Sequence, residues 1–115
     1  AIGYHVICDR YVDDTCLDFY HNFPNAFNSK SLLWKFLLIF TPKPNVMFLL
    51  YVPVEESIRR SKLKGEPFPD TPETLSWRLH CYNDEKLFPS TRYRKINCMS
   101  GILDVNKIVL DYIKY

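Results

Sequence analysis

The run Val46-Met47-Phe48-Leu49-Leu50-Tyr51-Val52 constrains the fold of this chain more than any other segment. It is apolar throughout, without the polar alternation of a half-exposed strand, and so predicts a strand covered on both faces. Such strands belong to parallel sheets, whose neighbours must be joined by crossovers of helical length. The rest of the sequence offers such segments. Tyr4 to Cys8 predicts a second buried strand, and Tyr93 to Cys98 a third, short one. A helix is predicted from about Asp14 or Thr15 to Tyr20, followed by a loop over Asn22 to Ser29. Ser31 is placed to cap a second helix reaching about Phe40, stopped by Thr41-Pro42-Lys43-Pro44. Val54-Glu55-Glu56 opens a third that runs to Lys64, acidic at its start and basic at its end, as the helix dipole favours, and Gly65 stops it. Thr71 or Asp70 caps a fourth, reaching about Leu87 before Pro89. Ile102 to Tyr112 closes the chain as an amphipathic helix with Ile102, Val105, Ile108, Val109 and Ile113 on one face. Strands alternating with helices predict an α/β fold, a parallel sheet flanked by helices, in a chain of 115 residues that is one domain or a fragment of one.

Composition narrows the partners. With 47% hydrophobic and 24% charged residues the chain is globular, and a net charge of +2 is too small for bulk attraction to nucleic acid or a membrane surface. Anion binding must come from local arginine placement. The cysteines at 8, 16, 81 and 98 form no CxxC pair and no zinc-type spacing with the histidines. Cys8 and Cys98 fall in apolar strand-like runs, where a thiol is a small buried group, and a reduced cytoplasmic setting is expected. The longest apolar stretch, Leu32 to Phe40, contains Lys35 and falls far short of the ~20 residues a bilayer needs.

Three constellations carry chemistry. Asp9-Arg10 stands at the carboxyl end of the first predicted strand, the place where open α/β sheets bind ligands. There the guanidinium can grip a phosphate through parallel charge-assisted hydrogen bonds, and the carboxylate can hold Mg²⁺ through water. The plainer reading is a surface ion pair. Arg59-Arg60-Ser61-Lys62-Leu63-Lys64-Gly65-Glu66, followed by Pro67, Pro69 and Pro72, suits a mobile flap that closes cations over a transferring phosphoryl group. A solvated basic helix end is the alternative. In Trp77-Arg78-Leu79-His80-Cys81-Tyr82, Arg78 and Tyr82 are one turn apart and share a face, while His80 lies off it and Trp77 reads as core. No serine or cysteine nucleophile motif is present.

The order of these pieces resembles thymidylate kinases and their close relatives. Val-Ile-Cys-Asp-Arg-Tyr is followed by Lys43-Pro44-Asn45 leading into the Val46–Val52 strand, and then by the arginine-rich helix from Val54 to Glu66. The family has an Asp-Arg-Tyr/His signature, an Arg/Lys-Pro-Asp entry to its next strand, and a Pro-Glu helix that becomes the lid. The resemblance covers nearly the whole chain, but only the latter part of a typical family member. It implies that Arg10 binds the phosphate of the acceptor nucleotide and that Asp9 stands beside Mg²⁺ and the transferring group. It places Tyr11 and Thr15 near the acceptor and Arg60 on the ATP base. Lys62 and Lys64 fall where the lids of some members carry arginines, within a lid-like segment at about 60–73. Lysine there offers a point charge rather than a fork. Asn45 replaces the usual aspartate, and Arg78 is out of phase with the family's lid-to-helix arginine.

The family's ATP site is a Gly-rich loop ending in Lys-Ser/Thr. The glycines here are Gly3, Gly65 and Gly101, and none sits in such a motif. The expectation is therefore the latter portion of a P-loop kinase fold, without the strand and helix that carry that loop, and with sheet edges open to pairing or homodimer formation. ATP and Mg²⁺ are expected as cofactors only together with that portion. The expected function is that of a fragment of a nucleoside monophosphate kinase that transfers the ATP γ-phosphoryl group to a nucleotide, dTMP first among the candidates. A non-catalytic binding module and a kinase for another acceptor, such as a deoxynucleoside, are the alternatives.

Overall fold

A computed structural model describes residues 3, 5–26, 28 and 30–113. By its internal contacts the chain divides into two compact units, Ala1–Lys43 and Pro44–Tyr115.

The first unit holds α1 (Val12–Asn22) and α2 (Leu32–Phe40). α1 starts two residues earlier than the sequence suggests. Asp13 and Asp14 lie inside its first turn, where carboxylates favour the dipole, instead of capping it. Leu17 is its buried residue. Ser31 does cap α2, its hydroxyl accepting from the Trp34 N–H at 3.2 Å. The expected buried strand does not form over 5–8. Those residues are irregular and exposed, Val6 at 81% and Ile7 at 94%, and Cys8 is exposed with them. A strand needs a neighbour to take its backbone hydrogen bonds, and the described residues of this unit contain no other strand to pair with it. Tyr4, the first residue of the expected strand, lies outside the described residues.

The second unit holds β1 (Phe48–Tyr51), α3 (Val54–Lys64), α4 (Pro72–Asn83), β2 (Arg94–Asn97) and α5 (Ile102–Ile113). β1 and β2 pair in parallel, with Phe48 opposite Arg94 and Tyr51 opposite Asn97, and α3 and α4 lie in the crossover between them. Bonds from Arg94 N to Met47 O and from Cys98 N to Tyr51 O, each 2.8 Å, close the ladder at its ends. The predicted parallel pairing is present. The predicted cover on both faces is not, because β1 is half-buried and its Leu50 is 52% exposed. Pairing satisfies the backbone of a strand along an edge, whereas burial needs other elements stacked on its faces.

Gly65 ends α3 with φ +66°, a conformation L side chains resist. The Gly65 N–H reaches Lys62 O and the Glu66 N–H reaches Ser61 O, which is a Schellman close. Thr71 is the cap of α4, accepting from Thr74 N at 3.2 Å. α4 ends at Asn83, four residues short of the expected Leu87. Asp84 stops it: its side chain accepts the Lys86 N–H at 2.8 Å and its carbonyl accepts those of Leu87 and Phe88. This turn delivers Phe88 into the core, edge-on to Tyr82 and Tyr93 with ring centroids 5.3 and 5.0 Å away. Cys81, Phe88, Tyr93 and Ile96 are the buried apolar residues described in this unit. The α5 stripe is only partly covered: Val105 and Val109 are half-buried, whereas Ile102 is 88% exposed.

Candidate functional site

Asp9, Arg10, Tyr11 and Thr15 belong to the first unit, gathered at the start of α1; Arg60, Lys62 and Lys64 belong to the second, on α3.

Arg10 has a left-handed backbone, with φ +59°. Outside glycine this conformation costs roughly 1 kcal/mol or more and persists only where other contacts fix it. Here the side chain turns back along the helix it precedes. Its Nε donates to Asp14 Oδ2 at 2.5 Å and its Nη2 to Asp18 Oδ2 at 2.6 Å. Asp14 and Asp18 stand in the first and second turns of α1, four residues apart, so they lie along one face. Tyr11 donates its hydroxyl to the carbonyl of Pro42 at 2.6 Å, which ties the start of α1 to the segment after α2. The Thr15 hydroxyl donates to Tyr11 O, one turn back. Asp9 is exposed. Cys16, on the same helix, has its thiol pushed up by burial and by the nearby Asp13 carboxylate, and so stays protonated.

The second cluster is organised by Glu56. Its carboxylate takes Arg59 through both Nε and Nη2, each at 2.8 Å, and Arg60 Nε at 2.6 Å. These hydrogen bonds hold the Glu56 carboxyl at about 2, well below its ordinary 4.5. Arg60 also donates through Nη2 to the Cys98 carbonyl at 2.7 Å. Cys98 follows β2, so the guanidinium sits at the carboxyl end of the parallel pair, where α/β sheets place their ligands. A pocket of about 190 Å³ opens there, lined by Val52, Arg60, Lys64, Glu66, Asp70 and Leu75 among others. Lys64 stands 4.0 Å from Glu66, and Asp70 lies 3.9 Å from Arg78. Lys62 is exposed, as is the whole 62–73 segment.

The sequence reading singled out the basic residues and missed their acidic holders. Glu56 was readable, since it stands three and four residues before two arginines on one predicted helix. Asp14 and Asp18 were not, because Arg10 precedes the helix and only its backbone turn aims it at them. Among the described residues no group of three or more His, Cys, Asp or Glu side chains is placed to hold a metal ion.

The chain is 31% identical over 118 residues to the "Probable thymidylate kinase" of Pyrococcus horikoshii. The match takes in 98% of this chain and 53% of that protein, so the chain spans about half the length of its relative. No protein-family model matches the chain. No solved structure matches it. Similarity at this level supports a distant, partial kinship to a nucleotide kinase, and the small parallel α/β arrangement is consistent with a fragment of one. No helix among the described residues is long and apolar enough to cross a membrane.

Proposed function

We propose that this chain is part of a nucleoside monophosphate kinase of the thymidylate kinase type, which transfers the γ-phosphoryl group of ATP to a nucleotide acceptor such as dTMP. One observation carries the reading. Arg60, on the helix after β1, is fixed at the carboxyl end of the parallel pair by its bond to Cys98 O, in a chain similar over 98% of its length to a probable thymidylate kinase.

In this reading Arg10 binds the acceptor phosphate, with Tyr11 and Thr15 beside the nucleotide and Asp9 beside the metal. Asp9 suits Mg²⁺, which keeps several waters and takes one or two carboxylates. Arg60 suits the base of ATP, since a guanidinium held by Glu56 and Cys98 O keeps its plane fixed for stacking. Bound Mg²⁺ would supply neutralisation of the charge on the transferring phosphoryl group. Lys62 and Lys64 would add cations as the exposed 62–73 segment closes, excluding water from the reacting group. The absence of a nucleic-acid partner and a reduced cytoplasmic setting are part of this reading.

The test is a coupled assay of ADP release with ATP, Mg²⁺ and a panel of acceptors, on this chain and on the longest protein in which it occurs. Phosphotransfer to dTMP by the longer protein, lost in Arg10→Gln, is the expected result. Transfer to a nucleoside but to no nucleotide would replace the acceptor. Absence of transfer by the longer protein to any acceptor would leave the binding-module reading in its place.

A further inference from the structure

Two features of Arg10 do not follow from a role as a phosphate arginine. Its backbone is left-handed, and its guanidinium is turned onto two carboxylates of the helix it opens. The bonds engage Nε and Nη2, the donors along one edge of the guanidinium. That edge is also one that offers parallel N–H bonds to an oxyanion. We propose that Asp14 and Asp18 form an internal latch on Arg10, which an incoming phosphate monoester has to displace before it can bind. The inference rests on the reading of Arg10 as the acceptor-phosphate arginine and adds to it a built-in competitor.

The physical case is one of charge and tethering. A phosphate monoester near neutral pH carries one to two negative charges, and a site in which both carboxylates remain on Arg10 opposes it with two more. Like charges brought together across a binding surface are strongly disfavoured. The carboxylates are also attached to the same helix as their partner, so their effective concentration at the guanidinium is on the order of millimolar or higher. A free nucleotide competes with that from solution. Its apparent dissociation constant is the intrinsic one divided by the fraction of molecules with the latch open, so a latch closed about nine-tenths of the time weakens binding about tenfold. The left-handed turn at Arg10 gives the device its second state. Release of the two carboxylates removes the contacts that hold an unfavourable backbone conformation, and the side chain can then swing away from α1.

The experiment is calorimetric titration of thymidine 5′-monophosphate into the chain, its Asp14→Asn/Asp18→Asn double variant, the Asp18→Asn single variant, and Arg10→Gln in both the original and the double-variant backgrounds. Asn keeps the shape of Asp and removes its charge. Asp18 lies beyond the first turn of α1, so its variant spares the favourable dipole contact at the helix start. The expected result is about tenfold tighter binding by the double variant, a smaller gain from Asp18→Asn alone, and loss of the whole gain when Arg10→Gln is added. Binding by the double variant that is unchanged or weaker, while Arg10→Gln still abolishes binding by the original chain, overturns the latch and leaves the phosphate-arginine reading standing. A gain that survives Arg10→Gln also overturns the latch, because it then reflects the general field of α1. No binding by any variant overturns both.

Discussion

Glu56 accepts three hydrogen bonds from two arginines, and the acid stability of the second unit should carry its signature. A carboxyl held at about 2 against an ordinary 4.5 stabilises the folded chain above about pH 4.5, and the contribution is lost as pH falls toward 2. Glu85 has the same window: Lys95 first and the Ser90 hydroxyl next hold it at about 2 as well. Thermal unfolding followed by circular dichroism between pH 5 and pH 2 is therefore expected to be steep in the original chain. It should be shallower in Glu56→Gln, and flatter still when Glu85→Gln is added. An unchanged slope in both variants would show that neither carboxyl is held low. Arg60→Ala loses the Cys98 contact as well as its Glu56 bond. Both are partly exposed, so the expected cost is about 1 kcal/mol in urea unfolding. At this scale the sequence showed which residue types carry charge, but not which charges are already occupied. Arg10 reads as a phosphate arginine and Arg60 as a contact of the ATP base, and in the folded chain each is already engaged.

The elements are where sequence and structure agree best, because caps and breakers act locally. Ser31, Thr71 and Gly65 do what their identities predict. Thr71→Ala should cost about 1 kcal/mol through the lost Thr74 N–H contact. Gly65→Ala should cost a similar amount, roughly 1 kcal/mol, through backbone strain alone, since a Cβ there meets no atom within 4 Å. Chemical denaturation of the two variants checks both, and a neutral Gly65→Ala would contradict the left-handed close of α3. The end of α4 was misread for a reason that is also local. Asp84 competes for its own backbone through a short-range turn, a signal weaker in sequence than Pro89, the stop the sequence suggests. Over residues 5–8, the described part of the expected first strand, the difference has another cause. These residues have the right propensity, but a strand is completed by its neighbour.

For the whole molecule the consequence is exposed apolar surface. α2 presents Leu32, Leu33, Ile39 and Phe40 at 70% exposure or more, and Val6 and Ile7 of the same unit are exposed as well. Surface of this kind marks an interaction site or an aggregation hazard. The isolated chain is expected to bind anilinonaphthalene sulfonate and to elute above its monomer mass of 13.7 kDa on size-exclusion chromatography. A Leu33→Lys/Ile39→Lys variant should reduce both signals, and a monomeric, dye-silent original chain would contradict the prediction. Thiol labelling reads the same architecture: iodoacetamide should modify the exposed Cys8 well before Cys81, which is buried and whose thiol is pushed up by burial and then by Asp84. Labelling at equal rates in the folded chain would remove that distinction. The sequence by itself determined that helices alternate with strands in a parallel α/β arrangement, the caps at Ser31 and Thr71 and the stop at Gly65, and the basic residues around which a phosphate site is proposed. These follow from local propensity, hydrophobic pattern and chain order. Only the tertiary structure decided that Cys98 O joins Glu56 on Arg60, that the left-handed turn at Arg10 aims it at Asp14 and Asp18, and that apolar runs suited to burial stand exposed. Those outcomes depend on which groups meet across space, and a meeting of groups distant in the chain has no signature at either residue alone.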